Sequence, residues 1–216
     1  MGAATQVKAL PIPVWTLAIC ATAAVVFGAP QLQALLVYNR EAIGEGEIWR
    51  LLTGNLVHLS GSHFIKDVIA LLATGLLIET GRCRHFALLC LISGTLIGSV
   101  LYFAEPELLV YGGLSGIVTA AATYLCLHGI EEGSGYRWLC LGTLLCLAVK
   151  TGMEMTLGFL PGAESQGFVL VAASHAVGAA TAILLFVVEA AGMPRVTSTC
   201  HLIFPLTRSG KLRLRP

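Results

Sequence analysis

The sequence predicts an all-α polytopic membrane protein, a bundle of six transmembrane helices whose fourth is short and recessed. Three observations carry that prediction. Of the 216 residues, 56% are apolar and only 12% charged, about half the charged share of an ordinary soluble domain. Mean hydropathy is +0.82. The apolar residues also gather into six runs separated by charged or glycine-rich joints, and about 20 apolar residues cross a bilayer core. The chain therefore divides into a six-span membrane domain over residues 1–193 and a basic tail over 194–216.

Each run has its own justification. The first, 14–28, has Lys8 as the single basic residue before it and Pro30 just after Gly28-Ala29, an awkward cleavage site, so it reads as a retained span rather than a signal peptide. Pro30 to Gly61 is too long for a simple turn and mixes Leu35, Leu36, Ile48, Trp49 and Leu52 with Arg40, Glu41, Glu45, Glu47 and Arg50. Short amphipathic pieces in the outer interface are expected there, with Trp49 at headgroup level. The second and third runs, 64–80 and 85–104, have spanning length, as do the fifth and sixth, 138–160 and 168–190. Gly94 and Gly98 form a GxxxG for helix packing within the chain or between protomers. Gly152 and Gly158 make the fifth span a candidate for mobility.

The fourth run decides the architecture. At about 14 residues, 115–128, it makes about 21 Å of helix against a core of about 30 Å. With its end at the cytoplasmic face, marked by His128 and Glu131-Glu132, its start lies about 10 Å below the outer surface. The approach from Glu105 to Gly113 is then irregular chain at membrane depth, which is tolerated only where protein buries it or water fills a cavity. A wet pocket opening outward, with Ser115 on its floor, follows.

Basic residues set the orientation. With the N-terminus cytoplasmic, Lys8, Arg82, Arg84, Arg137, Arg195, Arg208, Lys211, Arg213 and Arg215 lie inside, while Arg40, Arg50, Lys66 and Lys150 lie outside or in the outer half. The tail is expected to rest on anionic lipid of the bilayer.

Composition also excludes functions. A net charge of +1 leaves no bulk basic surface for nucleic acid. No Walker A loop occurs, no run of intramembrane carboxylates marks an ion path, and the cytoplasmic halves offer Glu79 and little else. The seven cysteines form no CxxC and mostly sit inside apolar runs, so no metal site, disulfide framework or cofactor is expected.

Candidate chemistry gathers at one depth. Gly113-Leu114-Ser115-Gly116 stands at a helix start, where free N–H groups and the positive end of the dipole favour a developing oxyanion. His175, seven residues into the sixth run, reaches the level of Ser115. Gly116 and Ala120 on the fourth run, and Ser174, Gly178 and Ala182 on the sixth, are small residues that let two backbones approach closely. His63 and Asp67 share one helix face near the outer end of the second run, as donors toward the pocket or as a cluster tying helices together. His58 is expected to bond loop groups. His85, His128 and His201 fall at cytoplasmic ends, and Lys150 and Glu154 are expected to pair with each other near the outer interface.

These residues resemble the rhomboid family of intramembrane serine proteases: Trp49-Arg50, His58 with His63-x-x-x-Asp67, Gly113-Leu114-Ser115-Gly116, and Ser174-His175-x-x-Gly178, in the family's order between about Glu47 and Ala182. The stretch Trp49 to Leu59 and the compact layout look most like rhombosortases, bacterial inner-membrane members thought to process proteins with a Gly-Gly-containing C-terminal sorting segment. The resemblance implies Ser115 as nucleophile and His175 as general base, a dyad without a carboxylate. The Ser115 N–H, His63 and residue 67 would hold the oxyanion. The family pattern has Asn where this chain has Asp67, so Asp67 is expected to be protonated or to pair with His63 as a cationic donor. It implies a substrate that is a single-span or C-terminally anchored protein cut near the outer face. The alternative is a catalytically silent relative that binds membrane helices and governs their stability or trafficking.

Overall fold

The structure is a computed structural model that describes residues 11–81, 85–131, 135–157 and 172–192. Six of its helices have 15 to 21 residues: α1 (Val14–Gly28), α5 (Gly61–Thr80), α6 (Phe86–Ala104), α7 (Ser115–Glu131), α8 (Arg137–Leu157) and α9 (Ala172–Ala191). Between α1 and α5 run three short helices, α2 (Pro30–Leu36), α3 (Arg40–Gly44) and α4 (Arg50–Thr53), followed by a 3₁₀ turn over Gly54–Leu56. By length and composition α5, α6, α8 and α9 can each cross a membrane, and α1 with α2, bent by 112° at Ala29, makes a fifth candidate. The protein is a multi-pass membrane protein. The expected ends shift by a few residues: α5 begins at Gly61, capped by Ser60 Oγ on the His63 N–H at 3.3 Å, and α7 continues past His128 to Glu131. The end of the fifth run (158–160), the start of the sixth (168–171) and the tail lie outside the described residues.

The segment between α1 and α5 is held by an accounting of backbone carbonyls. Pro30 starts α2 without needing an N–H partner, but the helix end leaves carbonyls that a membrane interface will not reliably solvate. Arg50 Nη1 donates to Ala34 O (2.9 Å) and Val37 O (2.8 Å), Trp49 Nε1 to Leu35 O (3.3 Å), and Thr53 Oγ1 to Leu36 O (2.8 Å). Glu47 holds the buried Arg50 guanidinium at 2.6 Å. The Trp49-Arg50 pair is thus a C-terminal cap for α2 supplied from the start of α4.

Two contacts then dock this segment. β1 (Tyr38–Asn39) pairs antiparallel with β2 (Val110–Tyr111), Tyr38 opposite Tyr111, so the stretch expected to be wholly irregular before α7 carries a short ladder. The GxxxG of α6 receives α4: a methyl at Gly98 would overlap Leu51 O, and Asn55 Nδ2 donates to Gly94 O at 3.0 Å. That motif is spent inside the chain.

The core follows α7 and α9. A Cβ at Gly178 would overlap Gly116 O, and one at Gly116 would lie 2.9 Å from Ser174 O, so the two backbones touch where the small residues fall. The opposite ends of the helices are tied by carboxylates. Glu79 accepts from the Trp15 and Thr16 N–H groups (3.1 and 2.6 Å), capping α1 from α5. Glu189 of α9 accepts from Tyr124 OH at 2.8 Å and lies 2.8 Å from His85 Nδ1 and 3.3 Å from His128 Nε2. The expectation that this half offers little beyond Glu79 is corrected: facing helices converge on Glu189, a rotation that the chain order alone does not reveal.

Candidate active site

Ser115 is the first residue of α7, where N–H groups of the first turn have no partner inside the helix. What places it there is Gly113. Its φ of +146° is one that side-chain-bearing residues rarely adopt, and a Cβ would meet His63 Cε1 at 2.8 Å. The chain therefore turns into α7 directly against His63. Tyr111 OH donates to Gly113 O at 3.2 Å from below. Burial raises the Tyr111 phenol above its ordinary value, a hydrogen bond with Ser174 opposes this and the Asp67 charge adds to it, so the hydroxyl stays protonated and a donor.

His63 and Asp67 do share a face, but Asp67 is aimed at more than one partner. Its Oδ2 lies 3.1 Å from His63 Nε2 and 3.1 Å from His58 Nε2. His58, expected only to bond loop groups, is buried beneath the site, with Nε2 also 3.4 Å from the Leu114 N–H. One ring nitrogen cannot donate to a carboxylate and accept from an amide at once. The shorter contact assigns the proton to Nε2, donating to Asp67 Oδ2. The Leu114 N–H points at that same ring nitrogen rather than into the site, and His58 Nδ1 has no hydrogen-bond partner.

His175 lies on α9 next to Ser174, whose carbonyl touches Gly116, so the α7–α9 crossing brings Ser115 and His175 to adjoining positions. Among the described residues no hydrogen bond joins the two side chains, a spacing common in unliganded sites. His175 Nε2 has no partner among them. Its Nδ1 does: Glu154 Oε2 of α8 lies 2.6 Å away, while Glu154 Oε1 pairs with Lys150 Nζ at 2.6 Å and Lys150 Nζ lies 3.2 Å from Nδ1. Lys150 and Glu154 pair as expected, but the expected absence of a carboxylate on the histidine is corrected. The reason is packing: α8 lies against both α7 and α9, which turns the inner face of its last turns toward His175. An i, i+4 acid and base inside a run of spanning length was the signal available in the sequence; which way the carboxylate pointed was not.

A cavity of about 440 Å³ also opens elsewhere, between Trp15 and Ile19 of α1, Leu52 of α4 and Leu88 of α6. Its walls are apolar apart from Asn55, and it takes in neither Ser115 nor His175.

The family model for the Rhomboid domain matches residues 45–191. No curated protein matches the chain.

Proposed function

The chain belongs to the rhomboid family, generally serine proteases of the membrane, and from that premise we propose that it is an intramembrane serine endopeptidase with Ser115 as nucleophile and His175 as general base. The observation that carries the proposal is the backbone contact of Gly116 with Gly178 and Ser174, which seats the two side chains on facing turns. The free Nε2 of His175 takes the Ser115 proton, and the Ser115 oxygen attacks the peptide carbonyl. The N–H groups of Ser115 and Gly116 at the α7 start, reached because Gly113 turns the chain there, face the developing oxyanion. His63 adds a donor: with Nε2–H on Asp67, an imidazolium keeps Nδ1–H for the substrate oxygen, and Asp67 compensates its charge. Asp67 in place of Asn thus supports a cationic donor at His63, with the carboxylate held between His58 and His63.

The substrate is a single-span or C-terminally anchored membrane protein, cut near the outer face. Amides within an intact helix are unavailable for attack, so the cleaved segment must unwind. The stretch Trp49 to Leu59 favours a rhombosortase-like enzyme of the bacterial inner membrane acting on Gly-Gly-containing C-terminal segments. Six crossings with both termini cytoplasmic suit the ties between ends: Glu79 with the start of α1, and Glu189 with His85 and His128, on one side, and Tyr38 with Tyr111 on the other.

The test is fluorophosphonate labelling of the detergent-solubilised protein. Labelling of wild type that disappears in Ser115→Ala and in His175→Ala is expected. A folded wild type that resists two classes of serine probe across pH would sink the proposal and leave the helix-binding, catalytically silent alternative, which pull-down of membrane partners would then examine.

A further inference from the structure

We infer that Glu154 is a positioning residue that completes a Ser115–His175–Glu154 relay, with Lys150 as the counter-charge to its carboxylate. The inference rests on the serine-protease reading for its consequence, though not for its geometry. Glu154 is a carboxylate with no exposed side-chain surface, on a helix of spanning length, and burying it there is costly unless both oxygens are engaged. Both are. Had Lys150 been its only partner, the pair would need no more than the exposed flank on which the lysine lies, its side chain being 38% exposed. Instead the second oxygen turns inward to His175 Nδ1 at 2.6 Å, the length of a charge-assisted bond.

The contact decides a tautomer. Lys150 Nζ, with only N–H groups to offer, could donate to a bare Nδ1 at 3.2 Å, which would put the ring proton on Nε2 and spoil the base. Glu154 can only accept, and it is the closer of the two, so Nδ1 carries the proton and Nε2 is bare on the Ser115 side. In the reaction, the Ser115 hydroxyl proton moves to Nε2 as its oxygen bonds the substrate carbonyl carbon. Nδ1–H remains on Nδ1 throughout, its bond to Glu154 tightening as the imidazolium forms. The Nε2 proton then passes to the departing amine as the carbon–nitrogen bond breaks.

Lys150 sets the balance. Its ammonium and the Glu154 carboxylate both lie beside the ring and act on it with opposite sign. Among the described residues the charged groups facing His175 come from α8 alone; α6 carries none, α7 offers only the Ser115 hydroxyl at this end, and Tyr111 and the Asp67 cluster lie beyond Ser174.

The experiment compares wild type, Glu154→Gln, Glu154→Asp and Lys150→Met as full-length protein in detergent, reading the rate of fluorophosphonate labelling against pH. Glu154→Gln should label about 10²- to 10⁴-fold more slowly, as when a triad carboxylate is replaced by its amide. Glu154→Asp should recover much of that rate. The acid limb of the profile should move to lower pH in Glu154→Gln and to higher pH in Lys150→Met, opposite shifts that loss of packing does not produce. Wild-type labelling with Glu154→Gln equally fast would overturn the inference while leaving the protease reading intact. A second measurement needs no activity: histidine ¹⁵N spectra, with His175 assigned from His175→Asn, should show Nδ1 protonated and Nε2 bare in wild type. A His175 protonated on Nε2 at neutral pH overturns the inference whether or not the protein labels.

Discussion

Gly178→Ala adds one methyl group where the structure has no room for it. The new carbon would overlap Gly116 O and lie 3.0 Å from Gly116 C and 3.4 Å from Ala120 N. These are backbone atoms in the first two turns of α7, so no side chain can swing aside. Regaining an ordinary separation of about 3.5 Å requires α9 to back away from α7 by about 1 Å. Overpacking of this kind costs about 1–3 kcal/mol of stability. Because Ser115 and His175 sit on the two helices at this crossing, the same displacement lengthens the path of the proton between them, and a misplacement of about 1 Å costs about 10²-fold in rate. The assay is the fluorophosphonate labelling rate together with the thermal midpoint in detergent. Gly142→Ala on α8 is the control, since nothing lies within 4 Å of its added carbon; it should change neither quantity. Gly178→Ala that labels at the wild-type rate would show that the α7–α9 contact does not set the distance between nucleophile and base.

Other outcomes follow from the same contacts. Arg50→Met strips the donors from Ala34 O and Val37 O and should lower stability by about 2 kcal/mol or more, read by equilibrium unfolding; an unchanged midpoint would mean that water reaches those carbonyls. Asp67→Asn should keep labelling with an altered pH profile, because one amide oxygen can still accept from His58 or His63, whereas Asp67→Ala should lose about 10²- to 10³-fold as His63 comes adrift. Total loss in a folded Asp67→Asn would contradict a role that an amide can fill. Glu189→Ala leaves the Tyr124 hydroxyl and His85 without their acceptor and should destabilise by about 1–3 kcal/mol, with the labelling rate of the folded fraction unchanged, since Glu189 meets α7 at the end far from Ser115.

Much of the architecture was legible because it is local. The apolar runs and the helix start at Gly113-Leu114-Ser115-Gly116 mark boundaries through rules that act within a turn or two. The small-residue ridges around Gly116 and Gly178 also pointed to each other, because a close backbone approach has few chemical solutions. What could not be read is rotational. Whether Glu154 faces lipid, Lys150 alone or His175 depends on how α8 rolls against α9. Likewise Asp67 could be placed on a face with His63, four residues away, but its bond to His58 needs the loop to fold back beneath α5. The seat of Leu51 on Gly98 was hidden for another reason: a GxxxG looks the same to a helix, to a second protomer and to a loop.

The same seat orders the making of the protein. The stretch from Pro30 to Gly61 is synthesised before α6 exists, and its β1 residues precede their β2 partners by the two long helices α5 and α6 as well as α3 and α4. As it leaves the insertion machinery it has neither groove nor ladder, and can close only after α5 and α6 have entered as a hairpin and Tyr111 has emerged on the side where Tyr38 waits. Ser115 comes next, Glu154 after it, and His175 last. On the proposed chemistry, a ribosome-bound chain therefore carries its nucleophile through the bilayer without a base, inert toward its own spans and those of its neighbours until α9 is laid in.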